Sequence, residues 1–259
     1  MTRAPGGDSV PIWLQAGLWG LLAGGALVVG AVIAWFVRVP QRVSASVMAF
    51  GAGVLISALA FDLVDEAETK GGLVATAVGF LVGATVYVLA NAVLARRGAR
   101  HRKRSSEHQP SEADQQGSGA AIAIGALMDG IPESIVLGLS LLSGHGVGVP
   151  VLAAIIISNI PEGLSSVAGM KGSGRSARYV FSVWGGIAVA SGAAGLLGCL
   201  LLQNAAPELI AAITALAAGA ILAMIADTMI PEAFERTHLY AGLITTLGFL
   251  TAFVISRAG

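Results

Sequence analysis

The sequence predicts an all-helical membrane protein that crosses the bilayer several times. Of its 259 residues, 55% are hydrophobic and only 12% are charged, whereas soluble domains have about 45–50% apolar and about 25% charged residues. The apolar residues are gathered in runs close to the roughly 20 residues that a helix needs to cross a bilayer. The 35 glycines suit close contacts between helices. This composition excludes a disordered chain and a nucleic-acid-binding domain, and the single cysteine, Cys199, excludes a disulfide scaffold.

Eight apolar runs predict eight transmembrane helices in a single transmembrane domain that covers residues 1–259. The predicted spans are 12–36, 43–65, 73–95, 119–142, 149–170, 179–203, 208–231 and 239–256. The only long polar connection is the segment 96–118, which we interpret mainly as a mobile basic anchor. His101 and His108 in that segment are weak candidates for transient metal binding.

Basic residues are distributed unequally between the two sides of the predicted bundle. Twelve of the fifteen Lys and Arg residues lie in connections on one side, and the other side has only Arg3, Lys70 and Arg257. The positive-inside rule therefore predicts that both termini lie outside and that the 96–118 segment is cytoplasmic. Because no organelle signal is visible, the expected location is the plasma (inner) membrane of a bacterium, as a multi-pass protein.

Acidic residues occur inside the predicted spans, and basic residues do not. They lie in the second, fourth, fifth and seventh spans: Asp62, Asp65, Asp129, Glu133, Glu162, Asp227 and Glu232. Ionisable groups at membrane depth are costly and indicate a function. With no Lys or Arg in any span to pair with them, a metal ion or a transported proton is the expected counter-charge. The alternative is a set of isolated, protonated carboxyl groups.

The densest group of polar residues is formed by two related segments. Residues 129–134 read DGIPES and residues 158–163 read SNIPEG. In each, a polar residue precedes the glutamate by four positions, so the two side chains share one helix face. The proline of each segment is expected to interrupt its helix and free a carbonyl group. Such an oxygen-rich set suits a divalent cation. The candidate metal ligands are Asp129, Glu133, Ser158, Asn159 and Glu162.

A second similarity relates the two ends of the chain. Residues 49–67 and 215–233 are identical at six of nineteen positions without gaps. The two spans would cross the membrane in opposite directions, which is typical of inverted repeats with a binding site near the midplane. The predicted arrangement is three spans, a central pair and three further spans.

These motifs resemble the Zrt/Irt-like (ZIP) family of divalent metal transporters. The resemblance covers nearly the whole chain and is most specific in the GIPES, NIPEGLS and AAGAILAMIADTMIPE segments. It implies a 3+2+3 inverted-repeat bundle of eight helices with a metal site that is often binuclear. By position, Glu133 and Glu162 match the two family glutamates, Asp129 stands at a family histidine, and Ser158 and Asn159 match the polar pair of the fifth span.

The resemblance also implies a pathway and two losses. Asp62 and Asp227 stand where family members have histidines of the metal pathway. Glu232, at the end of the seventh span, is the third candidate pathway residue. Gly130 replaces a family Asn, and Ser191 stands where the sixth span often has an acid. These departures favour one metal site instead of two. Carboxylate and hydroxyl ligands favour Mn²⁺, Fe²⁺ or Mg²⁺, with Zn²⁺ still plausible.

The predicted function is a carrier that moves a divalent metal ion (Zn, Mn or Fe) into the cytoplasm by alternating access. The metal ion is the transported substrate, and no cofactor, enzyme activity or nucleic-acid partner is expected. The alternative is a non-transporting ZIP-like metal sensor or membrane scaffold. The glycine-rich spans are compatible with a homodimer. His145 and His238, at predicted span ends, are expected to be solvated instead of metal-bound.

Overall fold

The computed structural model describes residues 10–100, 102–103, 109–111, 113–143 and 149–258. Within these residues the chain is helical, without a strand, which confirms the predicted all-helical class. The α-helices are α1 (Ile12–Phe36), α2 (Gln41–Ala58), α3 (Val64–Leu94), α4 (Ser118–Ser140), α5 (Val149–Gly172), α6 (Ala177–Leu202), α7 (Pro207–Met224), α8 (Ile230–Thr237) and α9 (Tyr240–Ala258). Short turns of other helix types lie at Leu59–Leu63, Ala95–Ala99, Leu141–Ser143 and Ile225–Met229.

Seven helical stretches in the described part of the chain are long and apolar enough to cross a membrane. The predicted count of eight separate helices is therefore not confirmed. The difference arises in Gln41–Ala99, where the second and third predicted spans form one continuous stretch of 59 residues. A straight helix of that length would measure roughly 88 Å, far more than a bilayer core of about 30 Å. The stretch is interrupted at Gly72, whose φ of 76° and ψ of 163° are not helical.

The prolines of the DGIPES segment (129–134) and the SNIPEG segment (158–163) do not break their helices. Pro132 lies inside α4 and Pro161 lies inside α5, and both helices continue through them. The expected interruptions are found instead in the second and seventh predicted spans. There the backbone widens into π-helical turns at Leu59–Leu63 and Ile225–Met229. Such single wide turns are frequent at functional sites.

The two π-helical turns occupy equivalent positions in the sequence repeat. When Ala49–Ala67 is aligned with Ala215–Ala233, Leu59–Leu63 coincides with Ile225–Met229. The packing is reciprocal as well, since α2 packs against α9 and α7 packs against α3. The aligned glycines Gly53 and Gly219 make these contacts possible, because a side chain at either position would collide with a carbonyl oxygen of the partner helix.

Close contact between α1 and α5 positions one wall of the candidate site. Gly30 lies against the carbonyl of Ile160, and Gly163 lies against the carbonyl of Leu27. These are helix–helix approaches that only residues without a side chain allow. The SNIPEG segment (158–163) is consequently held against α1, within the interior of the bundle.

Candidate cation site

The five predicted metal ligands are all buried in the interior. Asp129 and Glu133 are 2% and 1% exposed on α4, and Ser158, Asn159 and Glu162 are 0%, 3% and 3% exposed on α5. The four-residue spacing within each segment accounts for this, because it places both polar side chains of a helix on the same inward face. The structure therefore gathers the carboxylates of two helices in one interior region.

Asp129 is the most highly coordinated carboxylate of this region. The Tyr87 hydroxyl donates to its Oδ1 at 2.6 Å. The Arg102 guanidinium donates through Nη2 to Oδ1 at 2.9 Å and through Nε to Oδ2 at 3.0 Å. This two-pronged contact is the strongest geometry that an arginine and a carboxylate can adopt. The same guanidinium also donates to Tyr87 at 2.8 Å and to Asn91 at 2.7 Å.

Lys103 joins the acids of the two helices. Its Nζ lies 2.8 Å from Oε2 of Glu162 and 3.3 Å from Oδ2 of Asp129. The expectation that no basic residue of the chain pairs with the buried acids was therefore wrong. Charge was assigned by the position of each residue in the sequence, and the described residues Arg102 and Lys103 of the 96–118 segment lie among the helices instead of outside them.

Two glycines accompany the approach of Arg102 to α4. Gly98, with a φ of 100°, interrupts the helical backbone after α3. Gly125, one helical turn before Asp129 on α4, leaves room for the Arg102 side chain: a methyl group there would lie 2.5 Å from Arg102 Cδ. Arg102 and Lys103 are consequently 2% and 3% exposed.

Hydrogen bonds hold the backbone of the segment against α5. The carbonyl of Arg102 accepts from the Ser166 hydroxyl at 2.6 Å and from the Gln109 amide at 3.0 Å. Gln109 also donates to the carbonyl of Ser166 at 3.2 Å and is 4% exposed. The prediction of a mobile anchor is thus wrong for Arg102, Lys103 and Gln109, which are integrated into the interior.

Of the three buried carboxyl groups on α4 and α5, Glu133 is the one without an ion pair to a described residue. Asn159 lies within hydrogen-bonding reach of it, and Glu162, Lys103 and Asp129 lie within electrostatic range. Its Oε1 atom nevertheless has no hydrogen-bond partner among the described residues. The region thus holds three carboxyl groups and two basic side chains, and a buried oxygen without a partner is costly unless a cation or a proton is present.

The described residues do not form a ready-made metal centre. No three of their His, Cys, Asp or Glu side chains converge closely enough to hold a metal ion. The polar residues of α5 are also engaged elsewhere: Ser158 donates to the carbonyl of Ile155 at 3.0 Å, and Asn159 donates to the carbonyl of Ala23 at 3.0 Å. The observed arrangement therefore binds the chain's own cations.

Gly130 on α4 and Ser191 on α6 lie close together. A side chain at Gly130 would begin 3.4 Å from the Ser191 hydroxyl.

The three predicted pathway residues are not part of the buried cluster. Asp62 is half-buried in the first π-helical turn and accepts a hydrogen bond from Ser256 on α9 at 3.0 Å. Asp227 is exposed on the second π-helical turn. Glu232 is 4% exposed in α8. The equivalent turns thus carry acids in different surroundings.

The histidines contribute nothing to the cluster that the structure describes. His238 is exposed in the turn between α8 and α9. His101, His108 and His145 lie outside the described residues.

Sequence reasoning missed four residues of the site: Tyr87, Asn91, Arg102 and Lys103. Tyr87 and Asn91 are polar, and they are four residues apart in an otherwise apolar helix, so they share a face. That spacing is the signal that identifies an inward-facing polar pair on α3. Arg102 and Lys103 offered no comparable signal, since they lie among several other basic residues of the same segment.

Compared with models of protein families and with curated proteins, the sequence matches none of them. The likeness to ZIP transporters accordingly rests on the motifs and spacing described above.

Proposed function

We propose that this protein is a divalent cation transporter of ZIP-like type, with its binding site in the buried carboxylate cluster of α4 and α5. The observation that carries the proposal is the cluster itself: Asp129, Glu133 and Glu162 are each at most 3% exposed, and these three carboxyl groups outnumber the two basic side chains beside them. Buried acids at membrane depth mark ion pathways and proton relays.

The Gln41–Ala99 stretch is counted in this proposal as two crossings joined at Gly72, which gives eight crossings in all. Its length supports two crossings, because one would leave most of an apolar helix outside the membrane. The reciprocal packing of α2 on α9 and α7 on α3 supports an inverted repeat around the central helices. With eight crossings and the observed charge asymmetry, both termini lie outside and the 96–118 segment lies in the cytoplasm.

The described conformation corresponds in this proposal to a state that is closed to metal. The Lys103 ammonium occupies the space between Asp129 and Glu162, so a metal ion and Lys103 cannot both lie there. Transport then requires withdrawal of the Arg102–Lys103 pair, after which the two freed carboxylates and Glu133 can converge on a metal ion. Metal leaves towards the cytoplasm when the pair returns. Oxygen ligands suit Mn²⁺ or Fe²⁺, and Zn²⁺ remains a possible substrate.

The test is the metal content of cells that express the protein, measured by mass spectrometry for all divalent metals at once. Glu133→Gln is the most informative variant, because it removes the surplus charge, keeps the side-chain shape and breaks no ion pair. Glu208→Gln is the matched control, since Glu208 is exposed in the first turn of α7. At equal membrane levels, the wild type and the control are expected to accumulate one metal, and Glu133→Gln is not.

Equal accumulation by a correctly inserted Glu133→Gln variant would contradict the site assignment. The double variant Glu133→Ala with Glu162→Ala extends the test, because it removes two of the three carboxylates and is expected to abolish uptake of every divalent metal.

The ion pairs also support a second candidate, a non-transporting metal sensor or membrane scaffold. In this alternative, Arg102 and Lys103 are permanent partners of Asp129 and Glu162 and keep the helices together. Lys103→Gln separates the two candidates. A transporter whose site is closed by Lys103 is expected to change its uptake rate in this variant, whereas a scaffold is expected to lose stability without any metal flux before or after the substitution.

A further inference from the structure

A second basic region lies away from the carboxylate cluster, at the start of α2 and the α8–α9 turn. A cavity of about 460 Å³ opens there. Its polar lining comes from Arg42 in the first turn of α2, Arg236 near the end of α8, and His238 in the connecting turn. Ser46 and Tyr240 lie at its edges.

The cavity has an excess of positive charge. Among the described residues, no carboxylate lines it. None of the ion pairs between described residues involves Arg42 or Arg236. Two arginines that line a common cavity without an acid suit a phosphate group, for which arginine provides matched pairs of donors.

One residue of the cavity lining has an unusual backbone conformation. His238 lies in the turn between α8 and α9, and its N–H donates to the carbonyl of Phe234 at 2.8 Å. It adopts a φ of 46° and is the one described residue other than glycine with a positive φ. A positive φ is uncommon outside glycine, and sparsely populated backbone conformations are concentrated at functional sites.

An apolar surface continues from the cavity along α9. Leu239 and Tyr240 at its mouth are 90% and 71% exposed. Further along α9, exposed apolar residues recur every three or four positions, which is one helix face. They are Leu243, Leu247, Leu250 and Val254. A basic cavity that leads onto an exposed apolar helix face matches a molecule with a phosphate at one end and hydrocarbon at the other.

We propose that this cavity binds the headgroup phosphate of an anionic phospholipid, with the acyl chains lying along the exposed face of α9. Arg42 and Arg236 contact the phosphate, and Tyr240 lies at the level of the headgroups, where aromatic residues are favoured. Basic pockets between membrane helices on the cytoplasmic side recognise lipid headgroups in this way. This inference is independent of whether the carboxylate cluster transports metal.

The test uses the purified full-length protein in detergent, with retained lipid measured by native mass spectrometry after addition of phosphatidylglycerol or phosphatidylcholine. The wild type is expected to retain phosphatidylglycerol in preference. The double variant Arg42→Gln with Arg236→Gln is expected to lose about tenfold or more of this preference, because each basic residue near the headgroups contributes separately. The control is Arg38→Gln with Arg178→Gln, which removes the same charge from two exposed arginines outside the cavity.

An equal loss in the control would overturn the proposal, since binding would then be diffuse attraction to the basic surface.

Inorganic phosphate is added in a separate experiment. Partial displacement of phosphatidylglycerol by phosphate supports recognition of the phosphate group, whereas binding of phosphate without any retained phosphatidylglycerol would overturn the assignment to lipid. Thermal unfolding without added lipid, and the single variants Arg42→Gln and Arg236→Gln, identify any loss that arises from misfolding.

Discussion

Two pairs of basic residues behave in opposite ways in this protein. Arg102 and Lys103 are almost fully buried and are paired with Asp129 and Glu162. Arg42 and Arg236 line an open cavity and form no ion pair with a described residue. Both pairs belong to connections that the sequence assigns to the same side of the membrane. The difference shows that a charge count by connection, which predicts an orientation, does not identify which charges enter the interior.

We expect substitutions around Arg102 and Lys103 to lower the free energy of unfolding more than substitutions of Arg42 and Arg236. Asp129→Asn is expected to have the largest effect. The substitution leaves Arg102 buried without its carboxylate, which destabilises proteins by about 3–5 kcal/mol. The free energy of unfolding in detergent micelles measures the loss. Asp227→Asn is the control, because Asp227 is exposed. A loss below about 1 kcal/mol would indicate that the ion pair is hydrated and replaceable.

Gly125→Leu tests the same pair without changing a charge. The added side chain would occupy the space of the aliphatic part of the Arg102 side chain, so Arg102 must move out of the interior. Overpacking of this kind costs about 1–3 kcal/mol. The same unfolding measurement applies, with Gly185→Leu as the control, since nothing lies within 4 Å of a side chain added at Gly185. Equal losses in both variants would contradict the role given to Gly125.

Ser166→Ala is expected to have a smaller effect on the buried pair. It removes the hydroxyl that donates to the Arg102 carbonyl, while the Gln109 amide still donates to the same atom. A single hydrogen bond contributes about 0.5–1.5 kcal/mol to the free energy of unfolding. Ser182→Ala, at an exposed position of α6, is the control. A loss above that range would mean that Ser166 anchors more of the segment than one carbonyl.

Substitution of Arg42 and Arg236, which line the cavity, is expected to have the smallest effect on stability. Arg42→Gln with Arg236→Gln removes no buried partner, so the free energy of unfolding without added lipid is expected to change by less than about 0.5 kcal/mol. Thermal unfolding in a neutral detergent measures it. A loss as large as that of Asp129→Asn would remove the distinction between the two pairs.

The helices could be predicted because their signal is local. The runs of apolar residues predicted α1 with the bounds that the structure has. The repeat between residues 49–67 and 215–233 predicted two related spans, and the π-helical turn that both contain was not predicted. The boundary between the second and third spans was also predicted, because the mostly polar stretch 65–72 separates two apolar runs. The apolar runs did not predict that helix continues on both sides of that boundary, with only Gly72 in a non-helical conformation.

The carboxylates of the site could be predicted, and their partners could not. Asp129, Glu133 and Glu162 are conspicuous because acids are rare within apolar runs. Arg102 reaches Asp129 past Gly125, which leaves a space for its side chain, and this contact depends on tertiary structure. The expectation of a metal ion as counter-charge followed from treating the segment as separate from the helices.

The attachment of Lys103 to α3 by a few residues has a further physical consequence. An ammonium group held on so short a tether has an effective concentration at Asp129 and Glu162 of at least about the millimolar range. Any free cation that reaches these carboxylates must displace this tethered competitor, so its apparent affinity is weaker than its intrinsic affinity. The same chain segment therefore sets a threshold of cation concentration below which the two carboxylates stay occupied by Lys103.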